Sequence, residues 1–599
     1  MKLERYIPFD KKEFRPHQKE AICDIIKAID ENDYRNIILN APVGIGKSLI
    51  AYVLGKYYEE EDQQTYIYTK TKYLQDQYLQ DFTDMVTVKG RSNFICKVDP
   101  SCHCDTGCKK ILTTCPYKPD ISEPMDPLEE YCPYWEQKHN GVYASITLLN
   151  YAYVFADSMY INHFPMRHLA ICDEGHNIEK ELMGVLENRI SVSRVAKDIN
   201  LFVPRQAHMK TMSEWVGILQ EIADGYKSLA AKTKNLEDKD TYKERSQSLA
   251  QTATLISENL DNWVVKDESF NGHTSIIFKP IMVDKYSNLL LSKAQHNVIM
   301  SGSVLKPDLF AKELGLEDYA YIEVPSIIPA KNRPIKKLYC GSMSNRNFDS
   351  TFPALVQKIE QLAEYHSDSK GVIHTFTYKI ANRLREVFKS NPRFIFHDSK
   401  TTNKAIFDFK TSDIKNAILV SPVAFEGVDF LYDEARWQAI CKDPFPNIGD
   451  KQISAREDID FGWIFRQRCL VLSQMYGRTN RAVDDQSVTY LLDSNLESLL
   501  GPATLVTDYF LEGLEGLNYA KPFEVCDNAY SKLTPDKRRS YEQERFEETC
   551  ILDAIKDEGL NTLEKLRMEY KKIPDNNSYQ FVMPIVERLF KNGAIKYIE

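Results

Sequence analysis

The chain has 599 residues, 43% of them hydrophobic and 27% charged, a soluble globular composition long enough for about three to five domains. No apolar run reaches the length of a membrane span, and the first ten residues mix charges with single apolar side chains, so no secretory signal is expected. A formal net charge of -10 excludes a uniformly basic surface, leaving any nucleic-acid contact to one positive groove in a large molecule.

In chain order, Asn36–Asn40 (NIILN) reads as a buried parallel strand. It runs into Ala41-Pro-Val-Gly44-Ile-Gly46-Lys47-Ser48 and then a helical stretch, Leu49–Tyr58. This is the P-loop pattern with Ala in place of its first Gly. Small residues let backbone N–H groups wrap phosphates, and the following helix N-terminus favours their charge. Lys47 would reach the β- and γ-phosphates of ATP, and the Ser48 hydroxyl would hold Mg²⁺. Thr65–Thr69 (TYIYT) is the next strand.

Six of the thirteen cysteines then fall within 37 residues: Cys96, Cys102, Cys104, Cys108, Cys115 and Cys132. Uniform scatter would put roughly one there. A disulfide framework does not suit a long chain without a secretory signal, so a metal or iron–sulfur centre is the better reading. Zinc sites favour two tight knuckles, whereas four spread thiolates suit a [4Fe–4S] cluster. Spacing alone leaves zinc open.

His168–Cys172 is a further strand, followed by Asp173-Glu174-Gly175-His176. Asp173 is placed to hold Mg²⁺ through water, Glu174 to orient the attacking water, and His176 to couple the site to a partner domain. Between about 185 and 290 the pattern turns helical. Trp215, Leu219, Ile222, Tyr226 and Leu229 form one apolar stripe. Leu249, Ala253, Ile256, Leu260 and Trp263 form another. With Lys232–Arg245 as a polar link, these read as an inserted helical hairpin. Asn297–Ser301 returns to strand.

A second α/β series starts after residue 370, with strands at Gly371–Tyr378, Arg393–His397, Ala417–Ser421 and Ser487–Leu492. Two such series predict two parallel-sheet domains. In Gln474-Met-Tyr-Gly477-Arg478-Thr-Asn-Arg481 the two arginines, three apart, are predicted to share a helix face and to act as arginine fingers. Residues 545–599 are helical again and end in a Gly-turn and a short apolar run.

These segments, in this order, resemble the XPD/DinG family of iron–sulfur superfamily 2 DNA helicases over about residues 15–495. Arg15-Pro-His-Gln18 resembles its adenine-reading motif, and Thr69-Lys70-Thr71 with Leu74 and Gln77 its DNA-contacting segment. Lys89–Cys96 and Cys132-Pro-Tyr-Trp resemble the ends of its cluster domain. Ser301-Gly-Ser303-Val-Leu305 stands where Ser-Ala-Thr-Leu is usual, and Asp173-Glu-Gly-His176 where Asp-Glu-Ala-His is. Phe425-Glu426-Gly427-Val428-Asp429 resembles the motif that contacts DNA and nucleotide from the second motor, and Lys442–Pro446 the segment after it.

The resemblance implies an α/β chain of two RecA-like motors. Motor 1 would be built from residues 1–88, 145–185 and 280–325. It would be interrupted by an iron–sulfur domain at 89–144 and a helical arch at 186–279. Motor 2 would span 326–535, and a winged-helix-like tail 536–599. It implies cluster ligands Cys96, Cys115 and Cys132, with Cys108 preferred as the fourth over Cys102 or Cys104. Gln18, Gly44, Gly46, Lys47, Ser48, Asp173 and Asp429 would hold the nucleotide. Glu174, Gln474, Arg478 and Arg481 would complete the catalytic set. Lys70, Lys72, Lys89 and Arg91 are candidates for a phosphate track, and Tyr378 for base stacking. The implied activity is ATP-driven 5′ to 3′ translocation on single-stranded DNA and unwinding at duplex junctions. The implied location is cytoplasmic and nucleoid-associated. A translocase that does not separate strands, a non-enzymatic scaffold, and a zinc-bearing RNA helicase are the rival readings.

Overall fold

The computed structural model describes residues 2–8, 13–108, 115–126, 128–425, 427–500, 504–515, 521–534, 539–571 and 576–598. Glu426 of the expected motor-2 motif, and residues 535–538 and 572–575 at and within the expected tail, lie outside them.

Helix α1 (Gln18–Asp30) precedes strand β1 (Asn36–Asn40). Then come α2 (Lys47–Glu60), β2 (Thr65–Thr69), α3 (Lys72–Asp81), β3 (Val86–Thr87), α4 (Pro133–Tyr143), β4 (Ile146–Asn150), β5 (Arg167–Cys172) and α5 (Ile178–Leu186). A different unit follows: β6 (Asn188–Ser191), α6 (Met212–Lys232), α7 (Leu236–Glu258), β7 (Trp263–Phe270) and β8 (His273–Pro280). The chain then returns with β9 (Ala294–Ser301), α8 (Pro307–Glu313) and β10 (Tyr319–Glu323). Seven strands form one sheet in the order β10-β1-β9-β5-β2-β4-β3, every pairing parallel. Strands β1, β2 and β4 are buried along their whole length, as expected where helices cover both faces.

In the inserted unit, β6, β8 and β7 make an antiparallel sheet under the α6–α7 hairpin. Trp215, Leu219, Ile222 and Tyr226 of α6 pack with Leu249, Ala253 and Ile256 of α7. Two details of the predicted hairpin are corrected. Arg245 lies within α7, and the link shrinks to residues 233–235. Asn235 caps α7 through its side chain at 3.1 Å from the Asp238 amide, which starts the helix early in the polar stretch. Leu260 and Trp263 are off the stripe: α7 stops at Glu258, and Trp263 opens β7. The 4-3-4-3 spacing continued past the helix because Trp263 reaches the same core from the sheet.

The second sheet comprises β11 (Ile335–Gly341), β12 (Gly371–His374), β13 (Phe394–Phe396), β14 (Ile418–Ser421), β15 (Trp437–Ile440) and β16 (Val488–Asp493). Its order is β11-β16-β15-β12-β14-β13, again parallel throughout. Helices α9 (Lys451–Ile459) and α10 (Trp463–Tyr476) separate β15 from β16. Beyond this sheet, β17 (Phe523–Val525) pairs antiparallel with β18 (Ile595–Tyr597), flanked by α11 (Arg539–Asp557), α12 (Leu563–Lys571) and α13 (Asn576–Lys591). The core of this unit is continuous with that of the second sheet. No described helix is long and apolar enough to cross a membrane.

Gly371 of β12 sits directly across from fully buried Trp437 of β15. A Cβ there would lie 2.0 Å from the indole. Gly371→Ala should therefore lower stability by about 1–3 kcal/mol through overpacking, read as a drop in denaturant midpoint. An unchanged midpoint would mean that the sheet yields at this pair.

Candidate active site and cysteine pocket

Because β9 lies between β1 and β5, with Asn40 beside Ser301 and Cys172 beside Ile299, three C-terminal strand ends meet at one edge. From them emerge the P-loop, Ser301 and Asp173–Glu174. Gly44 and Gly46 adopt φ of 87° and 81°, the left-handed region where only glycine is unstrained. This turns the loop so that α2 begins at Lys47. Lys47 Nζ lies 3.8 Å from Glu174 Oε1 and 3.5 Å from the Ala41 carbonyl. Ser48 occupies the next position, half-buried in the first turn of α2. Gln18 is buried and donates to the Ile45 carbonyl at 2.6 Å and the Gly46 carbonyl at 3.2 Å. Arg15 donates to the Gly44 carbonyl. The segment predicted to read adenine thus braces the phosphate loop from beneath.

The two acidic residues are shifted in opposite directions. Burial, with the neighbouring Glu174 charge, pushes Asp173 up to about 6 against the pull of Lys47. Its Oδ2 accepts from Tyr78 at 3.1 Å, and its Oδ1 from the Glu174 amide at 3.0 Å. Burial would also raise Glu174, but Lys47, His176, Arg478 and Arg481 outweigh it and hold that carboxyl at about 2. Glu174 therefore stands ionised beside the P-loop lysine, at a positive φ of 52°.

Burial depresses His176 to about 4, so its ring is neutral. Lys70 donates to Asn177 Oδ1 at 2.8 Å, which leaves Asn177 Nδ2 to donate to His176 Nε2 at 2.9 Å. The ring proton is then on Nδ1, facing Ser301 Oγ at 3.0 Å and Glu174 Oε2 at 3.4 Å. A continuous chain runs from Lys70, after β2, to the acidic pair. Asn177 and Tyr78 were missed in the sequence. Asn177 had the signal of directly following Asp173–His176, whereas nothing around Tyr78 marks it.

The domain of the second sheet reaches this edge through the end of α10. A Cβ on Gly477 would lie 2.9 Å from Val43, and one on Gly44 would lie 3.4 Å from the Arg481 carbonyl. The predicted shared helix face is corrected: α10 ends at Tyr476, and Arg478 and Arg481 lie in the turn after Gly477. What brings the two guanidinium groups together is Asp429, whose Oδ1 is 3.1 Å from Arg478 and also pairs with Arg481. Burial lowers Arg481 only to about 10, so it stays charged. Gln474 is buried one turn earlier in α10. Asp429 thus anchors the arginines in this structure, a role no sequence signal indicated.

Other track candidates are tied to protein partners. Lys72 donates to Asn93 at 2.8 Å, Lys89 pairs with Asp76, and Tyr378 opens a helix with its ring edge-on to His397. Arg91 lies 5.3 and 5.2 Å over the rings of Tyr134 and Trp135 on α4.

Cys132 caps α4 and is buried with Cys96 and Cys104 among Phe94, Tyr134 and Trp135, with Cys108 and Cys115 packed against them. Cys104 and Cys132 sulfurs are 3.6 Å apart, and Cys108 interacts with both Cys115 and Cys96. Cys102 faces Ser101 Oγ at 3.7 Å instead. Among the described residues no three such side chains stand in ready-made metal geometry. The donor chemistry nonetheless suits a thiophilic centre: five thiols from separated segments share one aromatic-lined pocket. They include all four expected ligands, and Cys104 enters as a fifth.

Gly46→Ala would force a left-handed backbone and put its methyl 2.6 Å from Gln18 Nε2. The affinity for a non-hydrolysable ATP analogue, read by titration calorimetry, should fall at least about tenfold. Unchanged affinity would mean that this loop does not shape the phosphate cradle.

Comparison with known proteins agrees with this architecture. Residues 11–203 match the family described as type III restriction enzyme, res subunit, and residues 359–500 match the helicase C-terminal domain. The chain is 26% identical over 193 residues to a probable ATP-dependent helicase of Methanocaldococcus jannaschii, covering 28% of this chain and 29% of that one. The chain therefore aligns with under a third of that relative's length. Among solved structures it is similar to an XPD helicase (TM-score 0.57, 16% identity, 82% of this chain and 97% of that one). It is also similar to Xpd4 of S. tokodaii (TM-score 0.54, 16% identity, 84% and 99%). The chain has the XPD helicase fold, two RecA-like parallel-sheet domains, and resembles the XPD/DinG group of superfamily 2 in both motif order and architecture.

Proposed function

We propose that the chain is an ATP-dependent DNA helicase that moves 5′ to 3′ on single-stranded DNA and separates duplex at a junction. The observation that carries this reading is the composite site. Lys47 and the Asp173–Glu174 pair belong to one sheet, Arg478 and Arg481 to the other, and the two meet across the P-loop.

In this reading the P-loop amides and Lys47 hold the β- and γ-phosphates. Ser48 and Asp173 hold Mg²⁺, the ion favouring the ionised form of the Asp173 carboxyl. Glu174, already ionised, orients the attacking water. Arg478 and Arg481 leave Asp429 to meet the charge that develops on the γ-phosphate. Hydrolysis removes that charge and releases the fingers, so each turnover closes and opens the motors. The chain Lys70–Asn177–His176–Ser301 gives the nucleic-acid side a route to Glu174. Polarity, the DNA substrate and a cytoplasmic, nucleoid-associated setting follow from the likeness to the XPD/DinG group.

Cys96, Cys108, Cys115 and Cys132 would hold a [4Fe–4S] cluster. When bound, such a cluster supplies a rigid crosslink between separate segments of a small domain. Cys132 at the start of α4 would tie it to motor 1, and Arg91 and α4 would form the wall against which a duplex splits.

Lys47→Ala should abolish nucleic-acid-stimulated ATP hydrolysis, and Glu174→Gln should bind ATP without turning it over. The decisive assay is strand displacement on 5′- and 3′-tailed duplexes by anaerobically purified protein. Unwinding of the 5′-tailed substrate is expected. Hydrolysis without displacement would instead make the chain a translocase.

Cys132→Ser should bleach the broad visible absorption near about 400 nm, lose iron and abolish unwinding, while ATPase partly survives. Full iron and full unwinding would refute the ligand assignment. Zinc without iron in the unaltered protein would refute the cluster.

A further inference from the structure

Away from the nucleotide edge, three buried charged side chains and two half-buried ones meet between the two sheet domains. Glu179 on α5 and Glu313 at the end of α8 come from motor 1. Arg456 on α9, Asp460 just after it, and Arg466 on α10 come from motor 2. Arg456 is fully buried and lies 3.0 Å from Glu179 and 3.6 Å from Asp460. Arg466 pairs with Asp460 and lies 3.5 Å from Glu313. Burial pushes Glu313 up to about 8, with the Glu179 charge adding to it, and burial raises Glu179 as well, so two arginines face three carboxyl groups.

The position of this cluster is the informative feature. Glu179 is in the first turn of the helix that follows Glu174 and Asn177. Arg466 is near one end of α10, whose other end carries Gly477 and the turn of Arg478 and Arg481. Eleven residues at about 1.5 Å each make that distance about 16 Å. Helix α10 therefore touches motor 1 at two places: the charge cluster and the P-loop. Among the described residues, the nitrogens of the Arg456 guanidinium and Nε of Arg466 have no well-aligned hydrogen-bond partner, so the pairing is electrostatic and incompletely bonded. A fully bonded buried network is costly to part, whereas a joint between moving domains must part and re-form at every turnover.

We propose that Arg456 and Arg466, clasped by Glu179, Asp460 and Glu313, are positioning residues. They fix where α10 rests on motor 1 and thereby how Arg478 and Arg481 meet the nucleotide. This rests on the ATPase reading above and deepens it. None of the five touches the reacting atoms. Their effect passes through α10 to the fingers.

The test is a double-mutant cycle on the full chain, measuring steady-state ATPase with single-stranded DNA. The charge-balanced pair Arg456→Met/Glu179→Met removes both partners together, a replacement that often leaves a buried pair's stability unchanged or improved. Its kcat should fall about tenfold, with KM for ATP within about twofold, because the fingers act on charge that develops in the transition state. Added to Arg481→Ala, the pair should cost less than about twofold more, since both changes remove one interaction. Arg456→Lys, which keeps the charge, should restore most of the loss. Thermal unfolding and ATP-analogue binding report whether each variant is folded. If the pair variant misfolds, Arg456→Gln, which removes the charge with a smaller change of shape, carries the same comparison in the two backgrounds. Multiplying effects in the double variant, or an unchanged kcat, would overturn the positioning role. Absence of ATPase in the unaltered chain would instead refute the helicase reading.

Discussion

Everything chemical in this molecule depends on the adjacency of three strand ends. A parallel sheet whose middle reads β1-β9-β5 delivers the P-loop, Ser301 and Asp173–Glu174 to one edge, and the parallel arrangement makes all three ends point the same way. Had β9 been elsewhere, His176 would have no Ser301 to meet. The hairpin and its small sheet, although some ninety residues long, leave this order intact, because they begin and end on the same side between β5 and β9. An insertion is tolerated where it does not separate strands that must pair.

The electrostatics at that edge follow from position. Two neighbouring carboxyl groups in one buried site cannot both ionise cheaply. The one nearer Lys47 and the two arginines is held low, and the other is pushed up. Glu174 is thus kept charged by groups from both sheet domains. Asp429 occupies the arginines in the meantime. A half-buried arginine pair without a carboxylate would carry a desolvation cost, and in the proposed reading Asp429 offsets it while no phosphate is bound.

Much of this was legible in the sequence, and the exceptions are instructive. Strands such as NIILN and TYIYT announced themselves because buried parallel strands are continuous apolar runs bounded by turns. β4 (ITLLN) and β15 (WQAI) are as buried but are short and were passed over, although β15 runs straight into the Lys442–Pro446 segment. The P-loop and the acidic pair were readable because their chemistry demands fixed spacing. The arginine turn was half readable: its residues were found, but helical geometry was assumed where Gly477 ends the helix. Asp429 as an anchor, Tyr78 on Asp173 and the Arg456–Glu179 pair depend on residues brought together from distant segments, which spacing along the chain cannot reveal. Six cysteines in a short window were plain, but whether Cys102 or Cys104 joins Cys96 and Cys132 depends on which side of one turn each faces, and it is Cys104 that turns inward.

The central claim is that the two motors build one nucleotide site between them and that ATP draws them together. The most direct measurement is the distance between a spin label on an exposed helix of each motor, taken without nucleotide, with a non-hydrolysable ATP analogue, and with ADP, all in the presence of single-stranded DNA. The account predicts a single short, narrow distance with the analogue and a longer or broader distribution in the other two states. The same distribution in all three, in protein shown to bind the analogue, would contradict it.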